Sequence, residues 1–176
     1  LEFHNLSDSP RELAYQLDGP TGLPTEGWWY LYKVHPRMWY RAGARDVVWG
    51  SERGHELVGC TEISKNAKKN ANNPYIQLNA SSPADFRYAG VDTQYFAAVL
   101  MPDLEADLPS RPLQLSAAVA MPVGQVSDGK RLNLTNVSFR LISRATTILP
   151  QEKLTQSFTI FAGPKDPQVL AGYGLE

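Results

Sequence analysis

Thirteen glycines and thirteen prolines are spread along the 176 residues rather than bunched. A proline inside a helix removes an N–H and clashes with the preceding turn, so this punctuation excludes a long-helix bundle. It favours many short strands joined by turns. Four Trp, eight Tyr and six Phe add bulky side chains that suit a pleated, half-buried surface.

Period-two alternation marks the strands. Leu13, Tyr15 and Leu17 alternate with polar neighbours, and Gly19–Pro24 ends that run. Trp28–Val34 and Tyr95–Met101 are apolar at nearly every position, as strands covered on both faces are. Val47–Trp49, Leu57–Ile63 and Phe86–Tyr88 read as further strands. Leu113, Leu115, Ala117 and Val119 are expected to share one face, and so are Val137, Phe139 and Leu141. Thr155–Phe161 is the last strand, stopped by Pro164, which cannot donate to a ladder. Lys65–Asn73 reads as an exposed polar loop. At the end, Asp166 before Pro167 fits an N-cap followed by Pro at the first helical position, and Gly172 and Gly174 stop the helix. The expectation is an all-β antiparallel sandwich with a short C-terminal helix, in one domain over residues 1–176.

Composition narrows function by exclusion. Lys+Arg total 17 and Asp+Glu total 18, so binding to nucleic acid through bulk charge is not expected. Charge is uneven: residues 1–26 are net −4, 33–70 net +4, 71–110 net −4 and 111–176 net +3. The basic middle suits a solvated surface, or anionic head groups or a partner. The longest apolar run, Tyr95–Met101, is far short of the roughly 20 residues of a membrane-spanning helix. The first residues lack the basic and apolar regions of a signal peptide. Cys60 has no second Cys to pair with and reads as a buried thiol.

No catalytic or metal constellation emerges, and no cofactor is expected. His55-Glu56 opens like a zinc-protease helix, but Gly59 stands where the second His belongs. His4 and His35 are distant in sequence. Glu26, Asp46, Glu52, Glu56 and Glu62 read as solvated carboxylates rather than a glycosidase pair. Sequons at Asn5, Asn79, Asn133 and Asn136 would suggest glycosylation in a eukaryotic secreted protein but are also common by chance in Asn/Ser/Thr-rich loops, and the resemblance given below implies that they are unused. The aromatic run from Trp28 to Tyr40 reads two ways. Trp28 and Tyr30 suit a sandwich core, whereas Trp29, Trp39 and Tyr40 suit a cleft for a peptide or ligand.

Two segments carry a family resemblance. Gln94-Tyr95-Phe96-Ala97-Ala98-Val99-Leu100-Met101-Pro102 resembles a strand of the large periplasmic domain of YidC-type membrane protein insertases. Phe161-Ala162-Gly163-Pro164-Lys165 resembles the motif that closes that domain before a helix. Leu6–Leu17 is similar to an earlier strand of the same domain, so the likeness covers most of the chain. The resemblance implies a galactose-mutarotase-like supersandwich, of which this chain would be the C-terminal portion. It implies a periplasmic location beside the bacterial inner membrane, in a larger membrane protein whose insertase core lies elsewhere. The implied role is non-enzymatic. The domain would assist insertion and folding of inner-membrane proteins, as a scaffold or docking surface. Its partners would be nascent membrane proteins, Sec translocon subunits and the membrane core of its own chain. A carbohydrate-binding or mutarotase-like protein on the same fold is the alternative. The expected functional elements are a hinge at Gly163, Pro164 and Lys165, and a helix whose Val169 and Leu170 touch the sandwich.

Overall fold

The computed structural model describes residues 1–25, 44–51, 54–78, 86–103 and 114–175. The Trp28–Val34 strand and the cleft residues Trp29, Trp39 and Tyr40 lie outside the described residues, as do Glu26, His35, Glu52, Asn79 and Leu113.

Strands dominate, and all of the described pairings are antiparallel. The first three are short: β1 (Glu2–His4), β2 (Arg11–Leu13) and β3 (Gln16–Asp18). β4 (Asp46–Ser51) and β5 (Gly54–Val58) lead into helix α1 (Cys60–Lys69) and then β6 (Ile76–Gln77). β7 (Phe86–Asp92), β8 (Phe96–Pro102), β9 (Leu115–Val123) and β10 (Asn136–Ser143) are the long strands. β11 (Thr146–Ile148), β12 (Lys153–Thr155), β13 (Phe158–Pro164) and helix α2 (Pro167–Ala171) complete the chain.

A five-stranded sheet runs β13-β8-β7-β4-β5, and a four-stranded sheet runs β3-β10-β9-β6. The main core lies between them. Val47, Trp49, Phe86, Ala89, Val91 and Leu100 come from the first sheet. Leu115, Ala118, Ala120, Val137, Phe139 and Leu141 come from the second. This is the expected all-β sandwich, and Val137, Phe139 and Leu141 share the core face as their alternation requires. Two smaller ladders, β1–β12 and β2–β11, tie the N-terminus to the region after β10. Asn5 clasps them: its side-chain amide donates to Ile148 O at 2.9 Å, and its Oδ1 accepts from Ser7 N at 3.0 Å.

Several boundaries differ from the sequence reading. Leu13 and Leu17 sit on separate strands, paired to β11 and β10 respectively. The Leu57–Ile63 run splits at Gly59, and the segment read as a polar loop from Lys65 is half helix. In α1, Cys60, Ile63 and Ala67 recur at helical spacing and are buried. Glu62 lies in the first turn, and Lys68 and Lys69 in the last, complementing the helix dipole. The N–H of Cys60 is satisfied from another strand, by Asp46 Oδ1 at 2.7 Å.

β9 departs for a different reason. Its register against β10 shifts between Ile142 and Ser143, so Ala117 faces Ile142 while Leu115 faces Ser143. Ser116 is the extra residue of this bulge, and beyond it the faces exchange. Leu115 therefore shares the core with Ala118 and Ala120, not with Ala117 and Val119. Tyr95 also leaves its expected place. Thr93 N donates to Phe96 O, which closes a tight β7–β8 turn with Gln94 and Tyr95 at its tip, and Tyr95 is 55% exposed.

Candidate functional site

The outer face of the five-stranded sheet, away from the main core, carries the junction that the sequence singled out. Ala97 and Val99 of β8 and Phe161 of β13 form a second buried cluster there. Tyr88, Met101, Leu170 and Leu175 pack around it. Helix α2 and the turn after it thus fold back over the sheet.

Local chemistry fixes that return. Asp166 Oδ1 accepts from Gln168 N at 2.8 Å and Val169 N at 3.4 Å, the expected N-cap, with Pro167 beginning the helix. At the other end Leu175 N donates to Leu170 O, and Gly174 N to Ala171 O. Gly174 has φ +64°, the left-handed conformation this closing motif requires. The helix ends at Ala171 with Gly172, still right-handed, as its C-cap, and left-handed Gly174 turns the chain back. The same closure brings Leu170 and Leu175 together against the sheet. Tyr173 adds a ring contact on Phe161, with centroids 5.3 Å apart. Of the two residues expected to touch the sandwich, Leu170 does so, whereas Val169 points outward and is 43% exposed.

The strand ends at Pro164 as expected, but Gly163 makes no turn before it. Both lie in β13, paired with Ala97 and Phe96 of β8. Gly163 has no left-handed φ; the space beside it is taken by the Phe161 ring, 3.3 Å from where a Cβ would lie. The ladder continues to Lys165, whose N–H donates to Tyr95 O at 2.7 Å. Residues 165 and 95 are thus a hydrogen-bonded pair, which places Pro164 in a non-hydrogen-bonded pair. Its missing N–H falls on the side away from β8, where proline costs the ladder nothing. Lys165 then reaches across the sheet, and its Nζ lies 2.9 Å from Asp92 Oδ2.

Beneath the returning segment is a pocket of about 260 Å³. Val48, Leu57, Ala97, Val99, Leu170 and Leu175 make it apolar, and His55, Tyr88, Asp92 and Lys165 supply its polar groups. Small residues on the sheet leave room for it. A Cβ on Gly50 would overlap the Tyr88 ring, so that ring lies over β4 at its cross-strand partner. Asp46 and Asp92 are direct cross-strand partners at the charged end. Burial holds the Asp46 carboxyl above the ordinary carboxylate range, with the nearby Asp92 charge adding to the rise. The Cys60 N–H and Lys165 oppose it.

The remaining sequence expectations fall elsewhere. Cys60 is fully buried, its thiol pushed up to about 11 by burial, so it is protonated at neutral pH. His4 lies on β1 near Gln151 O. Among the described residues, no three of His, Cys, Asp and Glu gather as metal ligands. Asn5 is buried and committed to the clasp described above. The sequence reading missed the pocket. Its polar residues are spread from 55 to 165, and only the strand order joins them. No family model matches the chain, and no curated protein matches it.

Proposed function

We propose that this chain is the C-terminal portion of the periplasmic domain of a YidC-type membrane protein insertase, a galactose-mutarotase-like supersandwich. In this reading it is a non-enzymatic scaffold or docking surface at the bacterial inner membrane, assisting insertion and folding of inner-membrane proteins. One observation supports this best. The segment from Gly163 to Leu175 is a strand-to-helix exit pinned to the sheet by the Lys165–Asp92 pair and by Leu170 and Leu175. A pinned exit sets the direction in which the chain leaves the sandwich. That suits a domain held in fixed orientation over a membrane core. The motif resemblance at Gln94–Pro102 and Phe161–Lys165 points the same way.

Photocrosslinking tests it, with a probe at Tyr95 in the full-length protein and a ribosome-stalled inner-membrane protein as substrate. Crosslinks to the nascent chain or to Sec translocon subunits are expected. Their absence overturns the docking role. The alternative is a carbohydrate-binding or mutarotase-like protein on the same fold, for which the apolar pocket with His55, Asp92 and Lys165 on its lining would be the ligand site. Polarimetry with glucose and galactose separates the two readings. Mutarotation above the buffer rate, lost in His55→Ala, favours the enzyme.

A further inference from the structure

The polar stretch from Lys65 to Asn73 runs through the last turns of α1 into the turn before β6, and Tyr75 follows it. Together they line a groove on the opposite side of the fold's chemistry from the pocket beneath α2. One section, of about 730 Å³, is lined by Thr61, Glu62, Lys65, Lys69, Tyr75 and Ile76. A second, of about 650 Å³, adds Asn70, Asn72 and Asn73. Asn66, Lys69 and Tyr75 line both, so the two are continuous.

Helical spacing puts Lys65 and Lys69 one turn apart on one face of α1, and both are exposed. Neither ammonium has an ion-pair partner among the described residues, unlike Lys68, which is held by Asp128. Glu62, the carboxylate on this lining, lies back in the first turn of the helix. Tyr75 is 39% exposed, yet it is held at both ends. Its backbone O accepts from Asn66 Nδ2 at 3.1 Å, and its hydroxyl accepts from Arg140 Nη1 at 3.2 Å. Arg140 is in turn fixed by Asp18. The ring is thus presented to the groove with little freedom left to lose. Asn72 and Asn73 are exposed, and among the described residues no hydrogen bond engages their side-chain amides.

We propose that this groove binds an acidic saccharide. Such a ligand has a C–H face that packs on an aromatic ring, hydroxyls that pair with amides, and a carboxylate that pairs with ammonium groups. Tyr75 takes the sugar face, Asn72 and Asn73 take hydroxyls, and Lys65 and Lys69 take the carboxylate. A simple anion would use the lysines alone and leave the ring and amides idle. The proposal goes beyond the insertase reading, and it does not use the pocket of the carbohydrate alternative. Its failure and the failure of either reading are therefore separate results.

The probe is trigalacturonic acid, titrated into the intact chain by calorimetry, with amide shifts followed by NMR. Binding is expected to move the amides of Lys69, Asn72, Asn73 and Tyr75. Lys65→Gln and Lys69→Gln should each weaken it about tenfold. Lys68→Gln removes the same charge from the neighbouring position and should leave binding unchanged, because that ammonium is committed to Asp128. The fully methyl-esterified trisaccharide keeps the rings without the charge and should bind at least about tenfold more weakly. Tyr75→Leu should weaken acid and ester alike; should it fail to fold, the lysine variants and the ester still decide. No binding at millimolar trisaccharide, equal binding of the ester, or equal losses in Lys68→Gln and Lys69→Gln would each overturn the proposal. So would equal binding of triglutamate, because the groove would then take an acidic peptide as readily as a sugar.

Discussion

Gly90 shows how one missing methyl group shapes the outer face. A Cβ there would lie 2.7 Å from both Ala98 O and Val99 Cγ2, against a neighbouring backbone that cannot yield. Gly90→Ala should therefore cost about 1–3 kcal/mol, read from the urea midpoint. Asp46 makes a second prediction. Its carboxyl is raised by burial, so its protonated form is the one the folded state prefers. The stability linked to that proton is fully present below the ordinary carboxylate pKa and is lost as pH rises through the higher folded value. Asp46→Asn keeps an acceptor for the Cys60 N–H and removes the buried charge. The variant should match or exceed the wild-type melting temperature at pH 7, and lose ground to wild type as pH falls toward 4. A constant difference across that range would refute the burial argument. Asp18 has the opposite sign. Its hydrogen bonds to the Arg140 guanidinium hold its carboxyl below the ordinary range, so that pairing helps at neutral pH and fades on acidification.

At the scale of elements, β10 carries the core. Phe139 is fully buried between the sheets, and Phe139→Ala should cost about 3–5 kcal/mol in denaturant melts. Its alternation was legible because β10 presents Val137, Phe139 and Leu141 without interruption. β9 was less legible. Its residues are mostly small and apolar on both faces, so the sequence offers no contrast from which to place the bulge at Ser116. Helix α1 had a signal that the strand reading passed over: Cys60, Ile63 and Ala67 recur with period near 3.6, between Gly59 and a basic last turn. Its N-terminal acceptor is Asp46, fourteen residues earlier, so the usual adjacent capping residue is missing.

For the whole molecule, the C-terminal return is the feature with most consequence. A five-residue helix is too short to persist in water by itself, so α2 depends on its caps and on the sheet beneath it. Leu170→Ser should weaken docking by about 1 kcal/mol, since Leu170 is half-buried. It should also speed exchange of the Tyr173, Gly174 and Leu175 amides. Val169→Ser should leave both unchanged, because Val169 faces solvent. Equal effects from the two variants would mean that the helix is not seated as described.

By itself the sequence determined what depends on neighbours along the chain. Glycine and proline spacing dictated short strands, alternation dictated the inward face of β10, and Asp166-Pro167 dictated where the last helix begins. These are local effects of backbone sterics, side-chain period and capping. Tertiary structure decided the rest. Asp46 and Asp92, 46 positions apart, meet as cross-strand partners only because β4 lies beside β7. Lys165 reaches Asp92 only because β13 and β8 are aligned so that the ladder runs past Pro164. Whether Pro164 ends a strand or sits harmlessly on its edge depends on which side of β13 is already paired. That is a property of the neighbouring strand, and no local pattern encodes it.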